Sequence, residues 1–116
     1  LTRAEIGVFG SDGLTPIGPH LVSADELPPG GAGLEIGCSV DGHVRQRSTT
    51  DQMVFDVATV IADVSTFAAW EPGDIILTGT PSGVGAAQKP PVFLTPGQTV
   101  TVWVEGIGET KNRVVD

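Results

Sequence analysis

Apolar and polar positions alternate with a period of two in two stretches of the chain, and with a period near 3.6 in one. Leu34, Ile36, Cys38 and Val40 alternate with Glu35, Gly37 and Ser39, the pattern of a strand with one covered face. Asp41-Gly42 follows, and the chain continues through His43, Val44, Arg45 and Gln46. Residues 34–47 therefore read as a hairpin, because Asp-Gly supplies the two positive φ values of a type I′ turn, whose twist matches its strands. Val100, Val102 and Val104 alternate with Thr99, Thr101 and Trp103, and Gly106-Ile107-Gly108 turns into a closing strand over 111–115. Between these β segments, Met53, Val57, Val60, Ile61, Val64 and Phe67 recur at helical spacing, opposite Gln52, Asp56, Thr59 and Asp63. This predicts one main helix over 51–68. Thr49 and Gln52 have the spacing of a capping box, and Asp51 places negative charge at the amino end. Trp70-Glu71-Pro72-Gly73 stops the helix, since the residue before a proline avoids the α region. Ile75–Thr78 is apolar without alternation and reads as a strand buried on both faces, leading into a loop over 79–91. His20–Val22 is a candidate short strand in an otherwise loop-rich segment, 1–33. The expected class is α+β and β-rich.

Composition narrows the function. The 116 residues include 16 Gly and 9 Pro, which act as turn punctuation and exclude a helix bundle. At 40% hydrophobic and 17% charged, the chain is not of the disordered type. Six Lys and Arg against 14 Asp and Glu give a net charge of −8, which repels phosphate backbones and anionic lipid heads, so neither nucleic acid nor membrane is an expected partner. No apolar run is long enough to span a bilayer. Cys38 is the single cysteine, which excludes an intramolecular disulfide and fits a reducing, cytoplasmic location. The chain opens on Leu1 and breaks off after Val114, Val115 and Asp116, as a piece of a longer protein would.

Several chemistries have no motif here. There is no phosphate-cradling G-x-x-x-x-G-K-[ST], no dinucleotide fingerprint around Gly106-Ile107-Gly108 and no G-x-S-x-G elbow at Ser82. His20, His43 and Cys38 do not make a zinc site, and His43, just past the turn, is read as an exposed strand histidine rather than a base. The dense segment is Leu77-Thr78-Gly79-Thr80-Pro81-Ser82-Gly83-Val84-Gly85. Its glycines bare backbone N–H groups and its threonines and serine add hydroxyls, which suits a carboxylate or an oxyanion. The competing reading is an ordinary Gly-Pro turn after a strand. Asp74, just upstream, reads as a turn carboxylate capping backbone N–H groups.

Glu71-Pro72-Gly73-Asp74-Ile75-Ile76-Leu77-Thr78-Gly79-Thr80-Pro81-Ser82-Gly83-Val84-Gly85 strongly resembles the hallmark of the fumarylacetoacetate hydrolase family. Thr15-Pro16-Ile17-Gly18-Pro19 resembles its Pro-Leu-Gly-Pro segment, and Val40-Asp41-Gly42 with Arg45-Gln46 its Asn-Gly hairpin followed by Arg-Gln. Thr50-Asp51-Gln52-Met53-Val54-Phe55, Phe93-Leu94-Thr95-Pro96-Gly97-Gln98 and Glu105-Gly106-Ile107-Gly108 with Asn112 continue the match in order. The resemblance implies a mixed β-sheet roll, a homodimer, and a divalent ion, Mg²⁺ or Mn²⁺. It implies hydrolase or lyase action on C–C bonds of small 2-oxo acids, such as acylpyruvate or fumarylpyruvate hydrolysis or oxaloacetate decarboxylation. An isomerase or hydratase of the same family is the alternative, as is a metal-free binding module. Thr80 matches the family threonine that contacts substrate, with Gly79 lining the same loop; Arg45 and Gln46 match a family pattern and are read as structural. Asp12 corresponds to an aspartate of a Lys-x-x-Asp-Thr stretch, but the lysine has no counterpart: its place falls on Phe9 or, from another starting point, on Glu5. The family's Glu-x-Glu metal pair does not occur in this sequence. Residues 1–116 are therefore expected to form one domain, the carboxyl-terminal part of a longer catalytic domain, with metal ligands and catalytic groups outside this chain.

Overall fold

The computed structural model describes residues 15–115. Its framework is two hairpins joined side by side. β1 (Glu35–Val40) and β2 (His43–Thr49) form the first, β3 (Thr99–Val104) and β4 (Gly108–Arg113) the second. The sheet order is β2-β1-β3-β4, antiparallel throughout. Asp41 and Gly42 both have positive φ, 49° and 80°, as a type I′ turn requires. The β1–β3 seam is fastened at both ends. The Asp41 N–H donates to the Thr99 carbonyl and the Thr99 N–H to the Asp41 carboxylate (2.9 and 2.8 Å). At the other end the Glu105 N–H donates to the Glu35 carbonyl and the Glu35 N–H to the Glu105 carboxylate (2.8 and 3.0 Å).

Register sorts the two faces. Ile36, Cys38 and Val40 pair with Val104, Val102 and Val100 on one face. On the other, Gly37 pairs with Trp103, and a Cβ at Gly37 would overlap the indole ring. The absent side chain is what lets the indole lie flat across β1. The indole N–H donates to Glu35 (3.3 Å) and Arg47 forms an ion pair with the same carboxylate (2.8 Å). The Arg47 bond first, and the indole bond second, hold the Glu35 carboxyl below its usual range.

The helix is shorter than the periodicity over 51–68 predicts. Thr50–Gln52 is a separate 3₁₀ turn, Met53 is extended, and the only α-helix among the described residues is α1 (Val57–Val64). Thr50 is the cause. Its N–H donates to the Leu34 carbonyl (2.9 Å), and its hydroxyl accepts from the Leu34 N–H (3.0 Å) while donating to the Gly31 carbonyl. These bonds hold the chain against the start of β1 and deny it helical geometry. The Thr49 hydroxyl bonds Asp51 instead of a helix N–H. The true N-cap is Asp56, which accepts from the Thr59 N–H at 2.7 Å; that bond holds its carboxyl below the usual range.

Two predicted strands are absent. His20–Val22 pairs with nothing in the sheet, and Leu21 is fully exposed. Ile75–Thr78 joins no ladder, and Ile75 and Leu77 are each 56% exposed. The described sheet ends at β2 and β4, and neither edge reaches this run. An unalternating apolar run is built to be covered on both faces, and the described residues leave the Ile75 and Leu77 face exposed while Ile76 is half-buried. The core is correspondingly thin, with Leu34 and Val40 the only buried large apolar side chains among them.

Candidate functional site

The inward face of β2 and the start of β1, the 49–55 segment, α1 and the 78–82 loop enclose an open cleft of about 500 Å³. Its walls mix apolar side chains (Ile36, Met53, Phe55, Val60) with hydroxyls (Ser48, Thr50, Thr78, Thr80, Ser82). None of the residues lining it is charged. In a chain of net charge −8, this is a place where an anion meets neutral donors rather than a carboxylate.

The loop is docked by one side chain. The Gln46 Nε2 donates to the Thr80 hydroxyl at 2.8 Å and to the Pro81 carbonyl at 2.7 Å. Sequence reading assigned Gln46 a structural role and did not bring it to Thr80. The reason is a β-bulge. From the two-residue turn, simple alternation puts Arg45 opposite Cys38 and Gln46 on the Trp103 face. In the structure Val44 pairs with Ser39 but Gln46 with Cys38, so Arg45 is the extra residue and Gln46 turns to the inward face. A polar glutamine on an apolar face is the signal that would have found it, once the bulge is known. The loop also passes close over the bulge: a Cβ at Gly83 would collide with the Arg45 carbonyl, and one at Gly85 with the Val92 carbonyl.

Thr80 and Gly79, the predicted substrate-contacting residues, lie together on the exposed rim of the cleft. Gly79 has φ +104°, and neither its N–H nor that of Thr80 donates to another group of the described residues. Asp74 behaves as a turn carboxylate, accepting from the Glu71 N–H at 2.9 Å. His43 is exposed at the start of β2. Burial pushes the Cys38 thiol up, away from nucleophilic thiolate character. Asp12, Phe9 and Glu5 lie outside the described residues.

A hydroxyl-lined cleft beside a docked Gly-Thr-Pro-Ser-Gly loop on an antiparallel sheet agrees with the fold of the fumarylacetoacetate hydrolase family. The chain belongs to that family: residues 5–115 match the fumarylacetoacetate hydrolase C-terminal domain. It is 48% identical to the human mitochondrial oxaloacetate tautomerase over 104 residues, covering 90% of this chain and 33% of that protein. The structure superposes on the fumarylacetoacetate hydrolase of psychrophilic Exiguobacterium antarcticum with TM-score 0.85 and 41% identity, over 90% of this chain and 37% of that one. Maleylpyruvate hydrolase of Sphingobium sp. SYK-6, solved with manganese(II) and pyruvate, gives TM-score 0.75 and 35% identity over 86% and 35%. The chain thus spans about a third of the length of these relatives.

A manganese ion accompanies pyruvate in that last relative. Among the described residues of this chain, no three His, Cys, Asp or Glu side chains lie close enough to share a metal ion. The cleft offers hydroxyl and amide groups, whereas a hard cation selects carboxylates. The described residues do not fit the ion. The described residues also hold no helix long and apolar enough to cross a membrane.

Proposed function

We propose that the protein carrying this chain is an enzyme acting on C–C bonds of small 2-oxo acids, by hydrolysis or decarboxylation. In this reading the chain supplies the wall that holds the substrate carboxylate. The observation that carries it is the uncharged, hydroxyl-lined cleft with Thr80 fixed on its rim. The Thr80 hydroxyl and the N–H groups of Gly79 and Thr80 are neutral donors for the carboxylate. Bonds from such donors to a charged acceptor are roughly twice as strong as neutral ones. Ile36, Met53 and Phe55 offer apolar walls to the rest of the molecule. The pyruvate bound by the Sphingobium relative is a ligand of this chemical class.

The same reading places the ligands for Mg²⁺ or Mn²⁺ outside this chain, and makes residues 1–116 the carboxyl-terminal part of a longer catalytic domain. The sheet becomes one wall of a larger roll, which covers Ile75–Thr78. Other exposed apolar side chains, Phe67 and Phe93 among them, go with homodimer formation, and a reduced Cys38 with a cytoplasmic location. A second reading, isomerisation without bond cleavage, is favoured by the tautomerase among the relatives.

The test is an assay of the whole protein on oxaloacetate and on an acylpyruvate, with pyruvate and methyl pyruvate as competitors. Pyruvate should inhibit at least about tenfold better than its methyl ester, since loss of one bond to a charged group costs about that factor. Release of pyruvate supports cleavage, and interconversion of keto and enol forms alone supports the isomerase. No turnover and no pyruvate binding would leave a non-catalytic module.

A further inference from the structure

We propose that Gln46 is a positioning residue which sets the direction of the Thr80 hydroxyl, so that Thr80 faces the cleft as a hydrogen-bond donor. The inference rests on the assignment of Thr80 to the substrate carboxylate. The Pro81 carbonyl can only accept, so the Gln46 atom 2.7 Å from it is the amide nitrogen. The same nitrogen lies 2.8 Å from the Thr80 oxygen. An amide nitrogen carries two hydrogens and accepts nothing, so both are committed to the loop and the Thr80 oxygen is an acceptor in this pair. The hydroxyl proton must then point elsewhere, and no group of the described residues takes it. A hydroxyl that accepts one hydrogen bond is also polarised to donate a better one.

This arrangement depends on the bulge at Arg45. The extra residue rotates Gln46 onto the inward face opposite Cys38, and Gly83 lets the loop approach the same point of β2. The consequence is a preference among ligands. A group that accepts, such as a carboxylate, takes the free hydroxyl proton, whereas a group that can only donate must share the Thr80 oxygen with the Gln46 amide.

A double-mutant cycle on pyruvate binding to the whole protein, supplied with Mn²⁺, tests this. Gln46→Leu should weaken pyruvate binding about tenfold, the scale of one hydrogen bond to a charged acceptor made poorly. In a Thr80→Val background the same change should add less than about twofold, because its effect passes through the hydroxyl. Gln46→Glu supplies a second readout when measured with and without Thr80→Val, because scaffolding leaves the pH response unchanged in the double variant whereas a positioning role loses it. Its ionised carboxylate accepts a hydrogen bond from the Thr80 hydroxyl and so turns that hydroxyl away from the cleft, so pyruvate binding should be weak at neutral pH. Binding should recover relative to wild type as pH falls through the carboxylate range, where the acid regains one donor. If Thr80→Val binds pyruvate as wild type does, the carboxylate assignment fails. If Thr80→Val weakens binding but Gln46→Leu does not, that assignment stands and the positioning role is overturned. Equal losses for Gln46→Leu in both backgrounds, or no pH-dependent recovery in Gln46→Glu, likewise reduce Gln46 to a fastening for the loop. Should Gln46→Leu fail to fold, the pH response of Gln46→Glu with and without Thr80→Val decides.

Discussion

Thr80→Val is expected to lower kcat/KM for a 2-oxo acid about 10- to 150-fold. The hydroxyl is a side-chain donor on the rim of the cleft, and a hydrogen bond to a charged group is worth roughly 1.5–3 kcal/mol, at about 1.4 kcal/mol per decade. Valine keeps the branched shape and removes only the oxygen, so the loop has no new volume to accommodate. The bond from Gln46 is lost too, which should cost about 1 kcal/mol of stability. Gln46 is only half-buried and can turn to water, so the fold should survive. Kinetics measured well below the midpoint of a melting curve separate the two effects. Activity lost only in proportion to unfolding would make the loop scaffolding.

Gly83→Ala should be the more damaging change to structure. Gly83 has φ +105°, a region that costs an L-residue about 1–2 kcal/mol. Its added methyl group would also meet the Arg45 carbonyl, which is backbone and cannot swing aside as a side chain could. Overpacking of this kind adds about 1–3 kcal/mol, so the total is ~2–5 kcal/mol if the loop stays seated. The chain can relieve the clash by lifting the loop off β2, and that breaks the Gln46 bonds to Thr80 and Pro81. The expected result is a clear drop in melting temperature together with a loss of kcat/KM at least as large as that of Thr80→Val. Gly79→Ala is the comparison, since its φ is also positive but nothing lies near the added atom. It should show the strain without the collision. Equal melting temperatures for the two variants would mean that the contact with Arg45 contributes nothing.

The hairpin at 34–47 was legible because its information is local: alternating side chains and an Asp-Gly turn. β3 was legible for the same reason, and the Thr80 loop through its density of glycines and hydroxyls. The helix was overextended because its apolar period starts at Met53, whereas Thr50 is tied to Leu34 and Gly31, far away in sequence. Periodicity does not record such long-range bonds, and tertiary hydrogen bonding overrode it. Ile75–Thr78 has the composition of a buried strand, but a strand needs neighbours, and the described residues do not provide them. The contact of Gln46 with Thr80 is not legible in the sequence because one bulged residue exchanges the faces of everything after it. The resemblance to the fumarylacetoacetate hydrolase family, carried first by the Glu71–Gly85 segment, extends over residues 5–115. Resemblance names Thr80, but only the folded chain shows what holds it.

The central claim is that Thr80 grips the substrate carboxylate. A crystal structure of the whole protein with pyruvate and Mn²⁺ tests it most directly. The account predicts a pyruvate carboxylate oxygen at about 2.5–2.8 Å from the Thr80 hydroxyl oxygen, the short range of a charge-assisted O–H bond, with Gln46 still donating to Thr80. A carboxylate held elsewhere, with the Thr80 hydroxyl turned to water or to the protein, would contradict it.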